Sequence, residues 1–128
     1  MMLIGRFLVT AFFAVAFGQS ALDKLFDRDG NVSYFQDHFK NSPIPPELVG
    51  PLFMLLTAIE AAAGALCALG LLTFSFVRPG LGIAGLGVAT AGFALLCLLV
   101  GQRLAKDYAG AAVVAAYFAV ALLGISLF

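Results

Sequence analysis

Four long apolar segments dominate the pattern of hydrophobic and polar positions along the chain. They are Leu3–Leu22, Leu52–Leu72, Gly80–Gly101 and Tyr108–Leu127. Each has the length of about 20 residues that an α-helix needs to cross a ~30 Å hydrocarbon layer with every backbone hydrogen bond made inside the helix. The pattern therefore predicts an all-α fold, an integral membrane bundle of four transmembrane helices that residues 1–128 form as a single domain.

The first apolar segment has an alternative interpretation as a secretory signal sequence. Arg6 precedes a short apolar stretch, and Ala16, Gly18 and Ala21 are small residues that suit a cleavage site. Removal of this segment would leave three helices with an unpaired polar edge, so we interpret it as a membrane span.

The one long connection, Asp23–Val49, predicts a short helix between the first and second spans. Asn31 or Ser33 can cap a helix that runs to about Lys40. One face of this helix is apolar: Val32, Phe35 and Phe39. The proline-rich segment Ser42–Pro46 ends it. Such a helix either lies on the lipid head groups or covers the mouth of the bundle as a lid.

Composition supports the membrane assignment and excludes two classes of protein. The chain is 62% hydrophobic and 11% charged, whereas soluble domains are roughly 45–50% apolar and about 25% charged. The seven Lys and Arg balance seven Asp and Glu without a basic run, so nothing indicates nucleic-acid binding. Only Arg6 and Arg78 among the basic residues lie on the side of the first and last residues, which favours the other side as cytoplasmic.

Glu60 is the residue most informative about function. It lies near the middle of the second span, where an unpaired carboxylate costs several kcal/mol, so we expect it to face the bundle interior. Helical spacing places small or weakly polar residues on the same face: Thr57, Gly64, Cys67 and Ala68. Two roles remain open, an acid that anchors a ligand or moves a proton, and a structural hydrogen bond that holds the helices in register.

Most of the other polar residues are expected at the same mouth of the bundle as Glu60. We predict one polar cluster there that binds a ligand or a partner. Its members are Gln19, Lys24, Glu60, Arg103, Lys106 and Asp107. Arg6 approaches from the opposite side. For Lys24 and Arg103 an alternative is open, because basic side chains at helix ends commonly anchor to lipid head groups.

The remaining reactive residues indicate neither a metal site nor a catalytic centre. Cys67 and Cys97 lie in apolar runs at depths too different for a disulfide, and His38 is a lone histidine on a surface helix. No nucleophile–base pair lies in any span, so we expect no catalytic activity of the chain's own. Small residues form packing stripes that could also pair copies of the chain: Gly82, Gly85, Ala89 and Gly92, and Ala109, Ala112, Ala116 and Ala119.

Short motifs follow one another along nearly the whole chain. They are Gly5-Arg6-Phe7-Leu8, Gly18 to Lys24, Tyr34-Phe35, Glu60-Ala-Ala-Ala-Gly64, Leu69-Gly70-Leu71 and the segment Gln102–Ala112. In order and spacing they resemble the DoxX family of small bacterial membrane proteins. The resemblance implies a four-helix bundle in the bacterial inner membrane, with characteristic polar positions at Arg6, Lys24, Glu60, Arg103, Lys106 and Asp107.

The same resemblance implies an association with quinol oxidase, thiosulfate oxidation or oxidative-stress systems. We therefore expect a non-catalytic membrane component that docks an oxidoreductase through its charged loop face. The alternative is a binding protein or transporter for a small amphiphile, a quinone or a lipid-like molecule, anchored by Glu60. Nothing resembles a haem, flavin or iron–sulfur site, so a redox role would act through a partner or a bound quinone.

Overall fold

The computed structural model of the chain describes residues 1–74 and 79–128, which form five α-helices and no strand. The helices are α1 (Met2–Phe26), α2 (Arg28–His38), α3 (Pro46–Phe74), α4 (Pro79–Leu104) and α5 (Tyr108–Ser126). Four of them, all except α2, are long and apolar enough to cross a membrane. The predicted order of four long helices with a short one after the first is confirmed. Arg78 and the turn predicted after Phe74 lie outside the described residues.

α3 makes the most extensive contacts in the bundle, with α1 on one side and α4 on the other, while α5 packs chiefly against α4 and more lightly against α1. The buried core contains aromatic side chains from α1 and small or branched side chains from the other helices: Phe13, Phe17, Ala63, Cys67, Val88, Ala91, Ala94, Leu95 and Ala121.

Glycines bring α3 very close to both of its neighbours. A Cβ atom on Gly64 would lie 2.9 Å from the backbone nitrogen of Gly18 on α1. A Cβ on Gly87 of α4 would lie 2.8 Å from the backbone nitrogen of Cys67. Backbones can approach this closely only where no side chain intervenes. The predicted small-residue face of α3 is therefore confirmed at Thr57, Gly64 and Cys67, which are buried, but not at Ala68, which is exposed.

Most residues of the packing stripes predicted on the last two helices lie on the outer surface of the bundle and not in its interior. The stripe on α5 is exposed throughout, at Ala109, Ala112, Ala116 and Ala119. Instead α5 buries Ala111, Ala121 and Gly124. On α4, Gly92 is buried but Gly82 and Ala89 are exposed. These helices are apolar on every side, so no polar face indicates which side turns outward.

α2 begins earlier than predicted and lies across one end of the bundle. Its N-cap is Asp27, and Asn31 lies inside the first turn, where its side-chain amide donates to the Asp27 carbonyl at 2.8 Å. The Phe35 ring packs against the Phe53 ring of α3 at 5.3 Å between centroids. The Phe39 ring lies against Gly101 of α4. These contacts place α2 where a lid was predicted, against α3 and α4, and they leave the prediction that it also lies on the lipid head groups untested.

The helices are staggered at the end that α2 covers. Lys24, two residues before the end of α1, is in contact with Glu60 of α3. The close contact of Gly87 with Cys67 sets the level of α4 against α3. At 1.5 Å per residue, Gln102 then lies about 12 Å beyond the level of Glu60. α1 therefore stops short of this end, and α2 occupies the space that it leaves.

Candidate functional site

A buried ion pair joins α1 to α3. Lys24 Nζ lies 2.9 Å from Glu60 Oε2, and the two side chains are 12% and 1% exposed. The Ser20 hydroxyl donates to the same carboxylate oxygen at 2.7 Å, and Lys24 donates to the Ser20 oxygen at 2.7 Å. Ser20 and Lys24 are four residues apart on one helix face, so both reach Glu60 together. Glu60 thus faces the bundle interior and has both a cation and a hydroxyl donor.

These contacts favour the structural role for Glu60 over the ligand-anchoring one. The carboxylate is occupied by two side chains of the same protein, and its neighbour along the chain, Ile59, lines a cavity that Glu60 itself does not line. A buried charge is tolerated when it is paired and hydrogen-bonded, as it is here. The arrangement fixes the register of α1 against α3.

A cavity of about 610 Å³ lies between α2, α3 and α4. Most of its wall is aliphatic or aromatic: Phe35, Phe53, Leu56, Ile59, Leu96 and Leu98. Leu55 and Val100 also line it and are 58% and 52% exposed. The cavity therefore opens between α3 and α4 onto the outer apolar surface of the bundle. Its volume is typical of small-molecule sites, which span about 300–1,000 Å³.

The α2 end of the cavity is polar. His38 on α2 and Gln102 on α4 both line it, and His38 Nε2 lies 2.7 Å from Gln102 Oε1. Asp107 Oδ2 lies 3.7 Å from the same ring nitrogen. The Tyr34 ring stacks on the imidazole at 5.4 Å between centroids. The hydrogen bond between His38 and Gln102 thereby ties the lid to the bundle above the apolar part of the cavity.

The turn between α4 and α5 positions the polar end. Lys106 adopts a φ of 60°, and Asp107 caps α5 by accepting a hydrogen bond from the Gly110 nitrogen at 2.9 Å. A Cβ on Gly110 would lie 2.5 Å from Gln102 Nε2 and 2.6 Å from Asp107 Oδ2. Glycine at this position thus leaves room for the amide and the carboxylate side by side.

The single polar cluster predicted from the sequence is not formed. Lys24 and Glu60 meet, but Asp107 lies with His38 at the other level. Gln19 is exposed beside a shallow depression on the outer face of α1. Arg103 lies over the Tyr108 ring at 4.8 Å and, like Lys106, is exposed. The stagger explains the separation, because Gln102 and the turn after it lie about 12 Å or more beyond the level of Glu60, which Lys24 contacts.

Arg6 lies at the opposite end of the bundle, as predicted. Its guanidinium donates to the Leu127 carbonyl and lies 5.6 Å from the centre of the Phe128 ring. These contacts hold the beginning of α1 against the end of α5, far from the cavity. Arg6 therefore has no part in the candidate site.

Sequence reasoning missed three residues of these two sites. Ser20 stands one helical turn before Lys24, and that spacing alone places both on one face. His38 stands four residues after Tyr34, so it shares a face with the aromatic residues of α2. Gln102 was included only in the motif that resembles the DoxX family. Its role depends on where α2 lies, which local pattern does not specify.

Metal binding finds no support in the described ranges. No group of three or more His, Cys, Asp and Glu side chains in residues 1–74 and 79–128 could hold a metal ion. Cys67 and Cys97 are both free.

No protein-family model, curated protein or solved structure matches this chain. Functional inference therefore depends on the geometry of the cavity and the ion pair.

Proposed function

We propose that the chain is a multi-pass membrane protein that binds a small amphiphile in the cavity between α2, α3 and α4. The observation that carries this proposal is the polarity of the cavity: apolar walls, one polar end at His38 and Gln102, and an opening between α3 and α4. An amphiphile has the same distribution of polar and apolar groups. A lateral opening also suits a ligand that arrives dissolved in lipid.

The outer surface of the bundle supports insertion into a lipid bilayer. Large apolar side chains are exposed on all four long helices, among them Val15, Leu72, Leu86 and Leu123, each more than half exposed. Soluble proteins rarely expose contiguous apolar patches larger than a few hundred Å². The resemblance to the DoxX family extends this proposal to the inner membrane of a bacterium.

The proposed anchor differs from the one that the sequence suggested. His38 and Gln102 line the polar end of the cavity, whereas Glu60 is paired with Lys24 outside it. We therefore expect Glu60→Gln to leave ligand affinity within about twofold of the native value, while its effect falls on stability. α2 acts as the lid, since Tyr34, Phe35 and Phe39 close the cavity beside the anchor.

Tryptophan fluorescence tests ligand binding directly. The chain has no tryptophan, so Phe35→Trp supplies a single indole in the cavity wall. Val15→Trp supplies a matched indole on the outer face of α1, where Val15 is 69% exposed. Both variants are reconstituted in lipid nanodiscs and titrated with octanol that carries bromine, a fluorescence quencher, on its terminal carbon.

We expect saturable quenching of the Phe35→Trp variant at probe concentrations that quench Val15→Trp only in proportion to the probe dissolved in lipid. Equal, unsaturable quenching of the two variants would show that the probe reaches both indoles from the lipid alone. That outcome would contradict the proposal.

Docking of a redox partner is the second candidate function. Arg103 and Lys106 are exposed beside the turn between α4 and α5, where they are free to contact another protein. The resemblance to the DoxX family suggests an oxidoreductase as that partner, and a quinone as one amphiphile that both could share. Double charge reversal, Arg103→Glu with Lys106→Glu, should abolish co-purification in mild detergent. Recovery of the native protein without any partner would exclude this function.

A further inference from the structure

We infer that the ligand of the cavity carries a neutral head group with a hydroxyl, recognised by His38 and Gln102 and selected by Asp107. This inference rests on the proposed function, because it specifies the chemistry of the molecule bound in that cavity. It depends on the hydrogen-bonding capacity and on the charge at the polar end.

The hydrogen-bonding capacity at the polar end suits a hydroxyl. With Nε2 donating to Gln102 Oε1 at 2.7 Å, the imidazole keeps Nδ1 as an acceptor, which has no hydrogen-bond partner within the described ranges. A hydroxyl can donate to this nitrogen. In the other tautomer of His38 the hydroxyl accepts instead. A hydroxyl thus fits both tautomers, whereas a carbonyl or an ether, which only accepts, fits one.

The charge at the polar end disfavours an anionic head group. Asp107 Oδ2 lies 3.7 Å from His38 Nε2, so a carboxylate or a phosphate bound at the imidazole would approach another negative charge. The N-terminus of α5, which could otherwise attract an anion, is already capped by Asp107 Oδ1 through the Gly110 nitrogen. The neighbouring basic residues Lys40, Arg103 and Lys106 are not among the described residues that line the cavity, so none of them offsets this repulsion inside it.

A cationic head group is also disfavoured. A quaternary ammonium group neither donates nor accepts a hydrogen bond, so it gains no hydrogen bond from His38 or Gln102. Asp107 does not itself line the cavity, whereas the imidazole of His38 does. A cation entering the cavity would therefore meet hydrogen-bonding atoms and apolar walls, without a carboxylate in direct contact.

The test compares four eight-carbon probes that carry bromine at the tail and differ only at the head. They are bromooctanol, bromooctanoate, bromooctyltrimethylammonium and bromooctane. Binding to the Phe35→Trp protein in nanodiscs is measured by quenching, with Val15→Trp correcting for the probe dissolved in lipid. We expect bromooctanol to bind about tenfold more tightly than each of the others, the difference that one or two net hydrogen bonds supply.

Variants of the polar end assign the preference to its residues. His38→Phe and Gln102→Leu, each made in the Phe35→Trp protein, should lower the affinity for bromooctanol to that for bromooctane. Gln36→Leu changes an exposed amide on α2 away from the cavity and should leave the preference unchanged. Asp107→Asn retains a capping side chain and should raise the affinity for bromooctanoate several-fold.

The outcomes separate the two proposals. If no probe quenches Phe35→Trp more than Val15→Trp, the cavity does not bind amphiphiles and the proposed function fails. If all four probes bind equally, or if a charged probe binds best, the cavity is a ligand site but the hydroxyl inference is wrong. A preference for bromooctanol that survives His38→Phe and Gln102→Leu also overturns it. Undiminished binding of bromooctane to these variants shows that they fold and keep the cavity.

Discussion

At the residue scale, the structure depends most on how it accommodates Glu60. The carboxylate is 1% exposed, and among the described residues Lys24 alone balances its charge, while Ser20 donates it a hydrogen bond. Taking two charges out of water costs several kcal/mol per ion, and the attraction between them offsets that cost only while both are present. We therefore expect replacement of one member of the pair to lower the stability of the protein much more than replacement of both.

We expect Lys24→Met to lower the free energy of unfolding by about 3 kcal/mol, because it leaves the Glu60 carboxylate buried without a cation. Lys24→Met combined with Glu60→Met should recover most of that loss, since no charge is then buried. Unfolding in mixed micelles with increasing dodecyl sulfate measures both variants.

The matched control is Lys40→Met. Lys40 also forms an ion pair, with Asp37 at 3.1 Å, but the two side chains are 64% and 76% exposed. Exposed pairs contribute about 0–1 kcal/mol, so this variant should unfold nearly as the native protein does. A Lys24→Met variant no less stable than Lys40→Met would mean that the carboxylate is not held as a buried charge.

The sequence predicts the direction of Glu60 but not the composition of its surroundings. The cost of a carboxylate in an apolar span determines that it faces inward, whatever the details of packing. Which side chain meets it depends on the relative levels of α1 and α3. Lys24 was one of several candidates, and Ser20 was not among them. His38 was missed because its environment comes from α4 and α5, distant in the sequence.

At the scale of elements, the crossing of α1 and α3 depends on glycine at position 64. A Cβ there would lie 2.9 Å from the backbone of Gly18, whereas a Cβ on Gly18 would have no atom within 4 Å. Both glycines lie at the crossing, but a side chain at position 64 would meet the backbone of α1, whereas a side chain at position 18 would enter open space. They provide a matched pair of substitutions.

We expect Gly64→Ala to destabilise the protein by about 1–3 kcal/mol, the usual cost of forcing an extra methyl group into a packed interior. Gly18→Ala should leave stability unchanged or raise it by up to about 1 kcal/mol through helix propensity. The same unfolding assay measures both. Equal effects of the two substitutions would contradict the close crossing of α1 and α3.

The elements themselves were largely predictable, and their orientation was not. Apolar runs interrupted by Pro46, Pro79 and the polar segment before Tyr108 correspond to the four long helices. The inward faces could not be predicted for α4 and α5, where both sides are apolar, and the alanine stripe beginning at Ala109 proved to be exposed. α2 began before the predicted cap because Asp27 rather than Asn31 starts it.

At the scale of the whole molecule, the stagger of the helices creates the candidate site. α1 ends two residues after Lys24, which contacts Glu60, and α3 and α4 continue past that end toward Gln102. α2 crosses this end and covers the cavity between α3 and α4. The depth of a residue in the membrane was estimated along each predicted span separately, and such an estimate does not reveal the stagger between helices. For that reason one polar cluster was predicted where the structure has two polar sites.

The arrangement also predicts sidedness in a membrane. Arg6 contacts Leu127, so α1 begins where α5 ends, and α2 lies at the opposite end of the bundle. In a Cys67→Ala, Cys97→Ala background, Ser33→Cys and Met2→Cys should react with an impermeant maleimide from opposite sides of the membrane. The excess of Lys and Arg near α2 predicts that Ser33→Cys reacts in inside-out vesicles and not in intact cells.

Labelling of both cysteines from the same side would contradict a bundle whose long helices all cross the membrane. Reversal of both labelling patterns would leave the bundle intact and contradict only the orientation.

Anomalous diffraction from crystals grown in a lipid mesophase with bromooctanol locates the bromine of a bound amphiphile and so shows whether the cavity binds one. We predict a bromine peak in the cavity, between Ile59 of α3 and Leu96 of α4, with the hydroxyl oxygen within hydrogen-bond distance of His38 or Gln102. Bromine peaks confined to the outer surface of the bundle, with the cavity closed by side chains, would contradict it.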